Sequence, residues 1–193
     1  MTTRDALLVA AAVLLVIVAI IAGFRLGKGR QRPAETEAGA EEQQESVTEG
    51  PLLTVQLYFP GPNGLLFAES RDLPVEESLV AQVGRLLAAL AEGPDSQELY
   101  PALPPDLSVG WTHLNERSVL YVDLEYSGEG EFPAWGSKHE ILTVYSVVNS
   151  VLVNFPEIES VVILRNGQQQ PTFAGHVDTS RPLVADPRWA TTP

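Results

Sequence analysis

The stretch ALLVAAAVLLVIVAIIAGF, Ala6 to Phe24, constrains this chain more than any other feature, because nineteen consecutive residues carry no charge. As a helix rising about 1.5 Å per residue it spans about 28 Å, close to the roughly 30 Å hydrocarbon core of a bilayer. A helix that is apolar all round needs cover on every side, and the soluble part of this chain is too small to supply it. A cleaved signal peptide is the other use of such a stretch, but its apolar core runs to about 7–15 residues and ends at a small-residue cleavage site. This run is longer, only Met1 to Asp5 precede it, and no cysteine is present to form a lipobox. It reads as an uncleaved single-pass transmembrane anchor.

The charges beside the span bear on its orientation. Arg25, Lys28, Arg30 and Arg32 follow it, whereas only Arg4 precedes it. The positive-inside tendency would place the following side, and with it the rest of the chain, in the cytoplasm. Next comes PAETEAGAEEQQESVTEG, Pro33 to Gly50, with six glutamates, no basic residue, and Val47 as its one large apolar side chain. Such a segment buries too little surface to offset chain entropy, so it is expected to be a disordered, self-repelling tether. The organisation is therefore an anchor with its basic flank over 1–32, an acidic linker over 33–50, a folded domain over 51–185 and a short tail over 186–193.

The 193-residue chain carries a formal net charge of −13, and 18 of its acidic residues lie from Pro51 onward against seven basic ones. An acidic domain with no basic, aromatic-interleaved stripe repels phosphate backbones, which argues against nucleic acid as a partner. The absence of cysteine excludes disulfides, thiolate metal sites and thiol catalysis.

The domain opens on LLTVQLYFP, where Leu53, Val55, Leu57 and Phe59 alternate with polar positions as in a strand. GPNG is turn chemistry, and LLFAESRDLP reads as the second strand of a hairpin. Leu79, Val83, Leu86 and Leu90 then share one helical face, with Glu76 and Glu77 in the expected first turn and Gly93–Pro94 as the stop. SVGWTHLNE and RSVLYVDLE flank a hairpin tip at Asn115 to Arg117. A second helix is expected from Ser137, which forms a capping box with Glu140. Its buried stripe is Ile141, Val144, Val148, Val151 and Phe155, and Pro156 ends it. IESVVILRNG is a last strand closed by an Asn166–Gly167 turn. The order β(β)αββαβ implies an α+β fold, with two helices on one face of a mixed sheet.

Several pieces of this stretch resemble the sporulation and spore germination, or GerMN, domain family. They are VQLYFP, LAEGP, LPP, LYVDLE, and the run VVNSVLVNFPEIESVVILRNGQ leading into GHVDTSRPL. Their collinearity from about Leu53 to Leu183 carries the likeness. The resemblance implies a non-enzymatic module at the outer face of the cytoplasmic membrane, with a fold similar to ring-building envelope domains. The anchor, tether and compact domain, with no catalytic machinery, point to contact with an envelope protein or with a second copy. The chain departs from the best-known members in having one domain and no lipobox, so no part in sporulation is carried over. The family favours an extracytoplasmic domain against the basic flank, and a folded domain can be exported despite a modest basic excess.

The candidate site residues are His176, Asp178, Trp135 and Asn149. His176 and Asp178 would share a face of an extended chain and could both reach one metal ion, but no spacing brings His113 or His139 in as a third ligand. The more economical use is structural, with Asp178 accepting from the amide of Ser180 or Arg181 in an Asx turn and His176 fixing the preceding loop through one ring nitrogen. Trp135, beside Phe132 and Pro133 in a Gly-rich loop, would be a platform for a partner or glycan strand if exposed. Asn149 inside SVVNSVL reads as a helix-to-loop contact or a ligand contact. Asp123 lies opposite the apolar positions of its strand, so it is expected in solvent or paired with Glu125. No catalytic signature, metal set or cofactor fingerprint is visible. The expected function is a membrane-tethered assembly module, with binding of peptidoglycan or another cell-wall ligand as the alternative.

Overall fold

Residues 50–130 and 132–191 are described by the structure, a computed structural model. The anchor and nearly all of the linker expected from the sequence lie outside the described residues. Among the described residues no helix is long and apolar enough to cross a membrane.

Alternation in LLTVQLYFP builds β1 (Leu52–Pro60), which pairs antiparallel with β2 (Leu66–Pro74). Val55, Leu57 and Phe59 are fully buried on its inner face. The connecting turn closes with Gly61 N–H donating to Leu65 O at 2.8 Å, and Gly64 takes a φ of 71°. Ser78 then caps α1 (Leu79–Glu92), its hydroxyl accepting from Ala81 N–H, and the helix stops at Gly93 with φ 95°. Glu76 and Glu77 precede that cap and are not in the first turn. Glu76 instead reaches across to Arg85 at 2.8 Å.

β3 (Leu107–Leu114) and β4 (Val119–Tyr126) form the second hairpin, whose Asn115 side chain accepts from the amides of Arg117 and Val119. α2 (Ser137–Asn154) then crosses over to β5 (Ser160–Arg165), which lies parallel to β4. The observed order of elements is β β α β β α β, and the class is α+β, as the periodicities require.

The sheet is not continuous. β1 and β2 form a two-stranded sheet, and β3, β4 and β5 form a separate mixed one in the order β3-β4-β5. α2 packs against β1, α1 and β5, and α1 packs against β3 and β1, all around one apolar core. Side-chain chemistry accounts for the division. The outer edge of β1 is taken by α2, with Asn154 Oδ1 accepting from Gln56 N–H at 2.9 Å and its Nδ2 donating to Gln56 O at 2.8 Å. Ser150 Oγ likewise accepts from Tyr58 N–H at 2.9 Å. A helix thereby satisfies an edge that a further strand would otherwise have paired.

α2 is buried around most of its girth. Val144, Val147, Val148 and Val151 have no exposed surface, and neither do Glu140, Ser146 and Ser150. The expected capping box does not form, because Gly136 is the N-cap without a side-chain bond and Glu140 turns inward. Asp123 also departs from expectation, being only 2% exposed and accepting from Gly167 N–H at 2.8 Å. The turn after β5, with φ 51° at Asn166 and 75° at Gly167, folds back onto β4 at Asp123, while Glu125 on the same face stays exposed. Asn166 Oδ1 fixes that return by accepting from Tyr126 N–H at 2.7 Å.

Candidate ligand groove

The residues after β5 run back along the domain and close it. Arg165 and Gln168 exchange backbone hydrogen bonds around the Asn166–Gly167 turn. Phe173 N–H then donates to Val177 O at 3.1 Å, enclosing a tight loop in which Gly175 has a φ of 117°. That value is accessible to glycine and rarely to other residues.

The loop folds around a buried carboxylate. Glu140 Oε1 accepts from the amides of Ala174 at 2.7 Å and Val177 at 2.8 Å. Its Oε2 accepts from the amide of His176 at 2.9 Å and contacts His176 Nδ1, also at 2.9 Å. With amides, which only donate, already directed at both oxygens, Nδ1 completes the set by donating as well. Nε2 is left without a partner among the described residues, and the imidazole side chain is 46% exposed.

Asp178 forms an Asx turn, its Oδ1 accepting from Ser180 N–H at 3.0 Å, and Oδ2 pairs with Arg181 at 3.1 Å. The hydrogen bonds from Ser180 and Arg181 hold its carboxyl below the usual range. Leu183 then bridges to β5, exchanging two backbone hydrogen bonds with Val161. Asn149 secures the next segment, with its Oδ1 accepting from Asp186 N–H at 3.1 Å and its Nδ2 donating to Asp186 O at 3.5 Å. A short 3-10 turn, Pro187–Trp189, and a bond from Thr191 N–H to Leu66 O at 2.8 Å follow. The stretch set apart as a tail is thus stitched to the domain through Thr191.

Between α2 and this closing segment lies a groove of about 430 Å³. Ile141 and Tyr145, one turn apart on α2, form one wall, and His176 and Asp178 line the loop side. Asp186, Arg188 and Trp189 complete it from the C-terminal side. Arg188 lies 2.6 Å from Asp186 and its hydrogen bonds pull the Asp186 carboxyl below the ordinary value. Burial, and then the charge of Asp186, push the Tyr145 hydroxyl upward, so it remains protonated as a donor and acceptor.

Of the four candidate residues, the structure brings His176 and Asp178 together in this groove. Asn149 does not line it and is 3% exposed, with both ends of its amide on Asp186. Trp135 is elsewhere, stacked on His139 at 4.6 Å and packed edge-on to Phe173 at 5.6 Å. Among the described residues no cluster of three or more His, Cys, Asp or Glu side chains could hold a metal ion. Sequence reasoning missed Glu140, Tyr145, Asp186, Arg188 and Trp189. One signal was present for Glu140, because it falls at helical spacing on the same stripe as Val144, Val147 and Val151.

Residues 56–171 match the family described as Germane, sporulation and spore germination. The chain is similar in fold to the tandem GerMN domains of the sporulation protein GerM from Bacillus subtilis, with 20% identity and a TM-score of 0.53. That match covers 69% of this chain and 46% of the tandem-domain structure, so this chain spans less than half the length of that relative. It is also similar to the first GerMN domain of the same protein, with 19% identity and a TM-score of 0.51, covering 68% of this chain and 97% of that domain. No curated protein sequence matches it.

Proposed function

Since this chain belongs to the sporulation and spore germination family, we propose that it is a non-enzymatic, membrane-tethered envelope module that acts through protein–protein contacts. The reading takes the Ala6–Phe24 stretch as a single-pass anchor in the cytoplasmic membrane, with the domain on the extracytoplasmic side. The partner is another envelope protein or a second copy of the chain.

The observation that carries this reading is the outer edge of β3. Segments of the same chain occupy the free edge of β1, through α2, meet that of β5 at Val161, through Leu183, and meet that of β2 at Leu66, through Thr191. From Ser108 to Leu114, no backbone hydrogen bond leaves β3 on its outer side among the described residues. A bulge between Val109 and Thr112 interrupts that edge and presents Trp111, which is 47% exposed. An open edge with an exposed aromatic is suited to a folded partner, and the bulge limits uncontrolled strand addition.

Because the natural chain has no cysteine, single-cysteine variants test this directly. Ser108→Cys in membranes should crosslink to one envelope protein or to itself, and Trp111→Lys should abolish the adduct. If β3 positions give no adduct in the intact envelope, the reading loses its support. A membrane-impermeant thiol reagent should label the same cysteine from outside, and protection from it would overturn the extracytoplasmic placement.

A second reading, a domain that binds peptidoglycan or another cell-wall ligand, is favoured by the groove beside His176 and is distinct from the β3 edge.

A further inference from the structure

We infer that the groove between α2 and the closing segment binds a neutral, hydroxyl-rich glycan. The inference gives the second reading its ligand chemistry and its location, and it rests on that reading.

The size fits, since about 430 Å³ falls within the roughly 300–1,000 Å³ typical of small-molecule sites. The charges select against ions. Both arginines on the rim already face a carboxylate, Arg181 with Asp178 at 3.1 Å and Arg188 with Asp186 at 2.6 Å. An anionic ligand would have to displace an aspartate, and a cationic ligand an arginine. A hydroxyl displaces neither, because it donates to the carboxylate while accepting from the guanidinium beside it. The overall charge of −13 further disfavours a polyanion.

The remaining walls suit the two faces of a sugar ring. Tyr145 and Trp189, both half-buried, offer aromatic surface and are braced from behind by the apolar cluster of Tyr58, Leu66 and Leu142. Aromatic rings with a polar tip pack against C–H faces, and the Tyr145 hydroxyl can engage the ring edge while the Trp189 indole N–H is directed at Asp186. His176 supplies a further polar contact through Nε2, and Glu140 fixes the imidazole plane from the buried side. A pre-set ring loses little freedom on binding.

The test uses the full-length chain in a zwitterionic detergent that carries no sugar headgroup. Titration with N-acetylglucosamine trimer, followed by calorimetry, should be saturable. His176→Ala and Trp189→Ala should each weaken binding at least tenfold, while Trp111→Ala, on the β3 edge, should leave it unchanged. Trp189→Ala could loosen the closing segment, but His176→Ala leaves the three amides on Glu140 in place and keeps the test informative. An absence of saturable binding, an affinity unchanged in both groove variants, or preferential binding of a charged tripeptide would each overturn the inference. Co-sedimentation with insoluble cell wall separates the two levels. Pelleting that is indifferent to the groove variants would overturn the groove and leave the cell-wall reading standing. No pelleting and no glycan binding would remove both.

Discussion

Glu140 holds His176 at two points, its Oε2 lying 2.9 Å from both the backbone amide and ring Nδ1 of that residue. The same carboxylate takes the amides of Ala174 and Val177 on its other oxygen and has no exposed surface. One helix side chain therefore organises a loop that begins more than thirty residues later.

Removing that carboxylate takes the acceptor from three amides, of which that of Val177 is in a buried contact, and from the imidazole. Breaking a buried, charge-assisted network of this kind costs about 3–5 kcal/mol, so Glu140→Ala should lower the denaturant midpoint sharply. His176→Ala leaves the amides bonded and removes only a half-exposed ring, and should cost about 1 kcal/mol or less. Equal losses in the two variants, measured by urea unfolding, would contradict the assignment of Glu140 as the loop's organising group.

Asn154 plays the part of a neighbouring strand for Gln56, with one amide group meeting both the N–H and the C=O. Asn154→Ala should cost about 1–2 kcal/mol for the lost hydrogen bonds. It should also bare the edge of β1 and increase concentration-dependent aggregation. Light scattering across a dilution series checks the second effect, and Asn154→Asp, which keeps the acceptor but not the donor, should fall between the two.

These two interactions show how far local sequence patterns reach. Strands and helices were legible because their periodicities are local, as Val55, Leu57 and Phe59 illustrate on β1 and Val83, Leu86 and Leu90 on α1. The fate of Glu140 was not, because Ser137 with Glu140 spells a capping box whether the glutamate turns to its own N-terminus or inward. The donors that decide it, at Ala174, His176 and Val177, lie far along the chain. Asp123 was misplaced for the same reason. Alternation puts it opposite the core, but only the return of the Asn166–Gly167 turn determines that this position is covered. The division of the sheet was hidden in Asn154 and Ser150, ordinary polar residues near a helix end. In the groove, the GHVD loop was visible as a feature, whereas Tyr145 and Trp189 carry no local pattern that marks them as its walls.

The Asp123–Gly167 contact separates charge from hydrogen bonding. Among the described residues only one carboxylate oxygen is engaged, Oδ1 accepting from Gly167 N–H at 2.8 Å. Asp123→Asn keeps that acceptor and should be nearly neutral, whereas Asp123→Ala strands the amide and should cost about 1–3 kcal/mol. Gly167→Ala meets no atom of the described residues within 4 Å but must adopt a φ of 75°, which costs about 1–2 kcal/mol. Thermal unfolding of the three variants should rank them in this way, and a severe loss in Asp123→Asn would mean that the charge matters.

Acid should loosen the domain at Glu69 and Asp186. Burial raises the Glu69 carboxyl, but bonds from the amides of Asp95 and Ser96 and from Arg71 outweigh it, leaving it below its ordinary value of 4.5. Hydrogen bonds from Arg188 outweigh burial at Asp186 and hold it below 3.8. Both groups bind protons less readily folded than unfolded, so their contribution is fully present above those ordinary values and disappears as pH falls through the depressed folded values. Unfolding temperature should therefore be level at neutral pH and begin to fall below about 4.5, the Glu69 reference. Glu69→Gln and Asp186→Asn should each lower stability at neutral pH and flatten the acid limb, since the group that titrates is gone. Emission from Trp189, next to the Asp186–Arg188 pair, should shift early in the acid titration if the closing segment releases first. An acid limb of unchanged steepness in both variants would assign the loss of stability to other carboxylates.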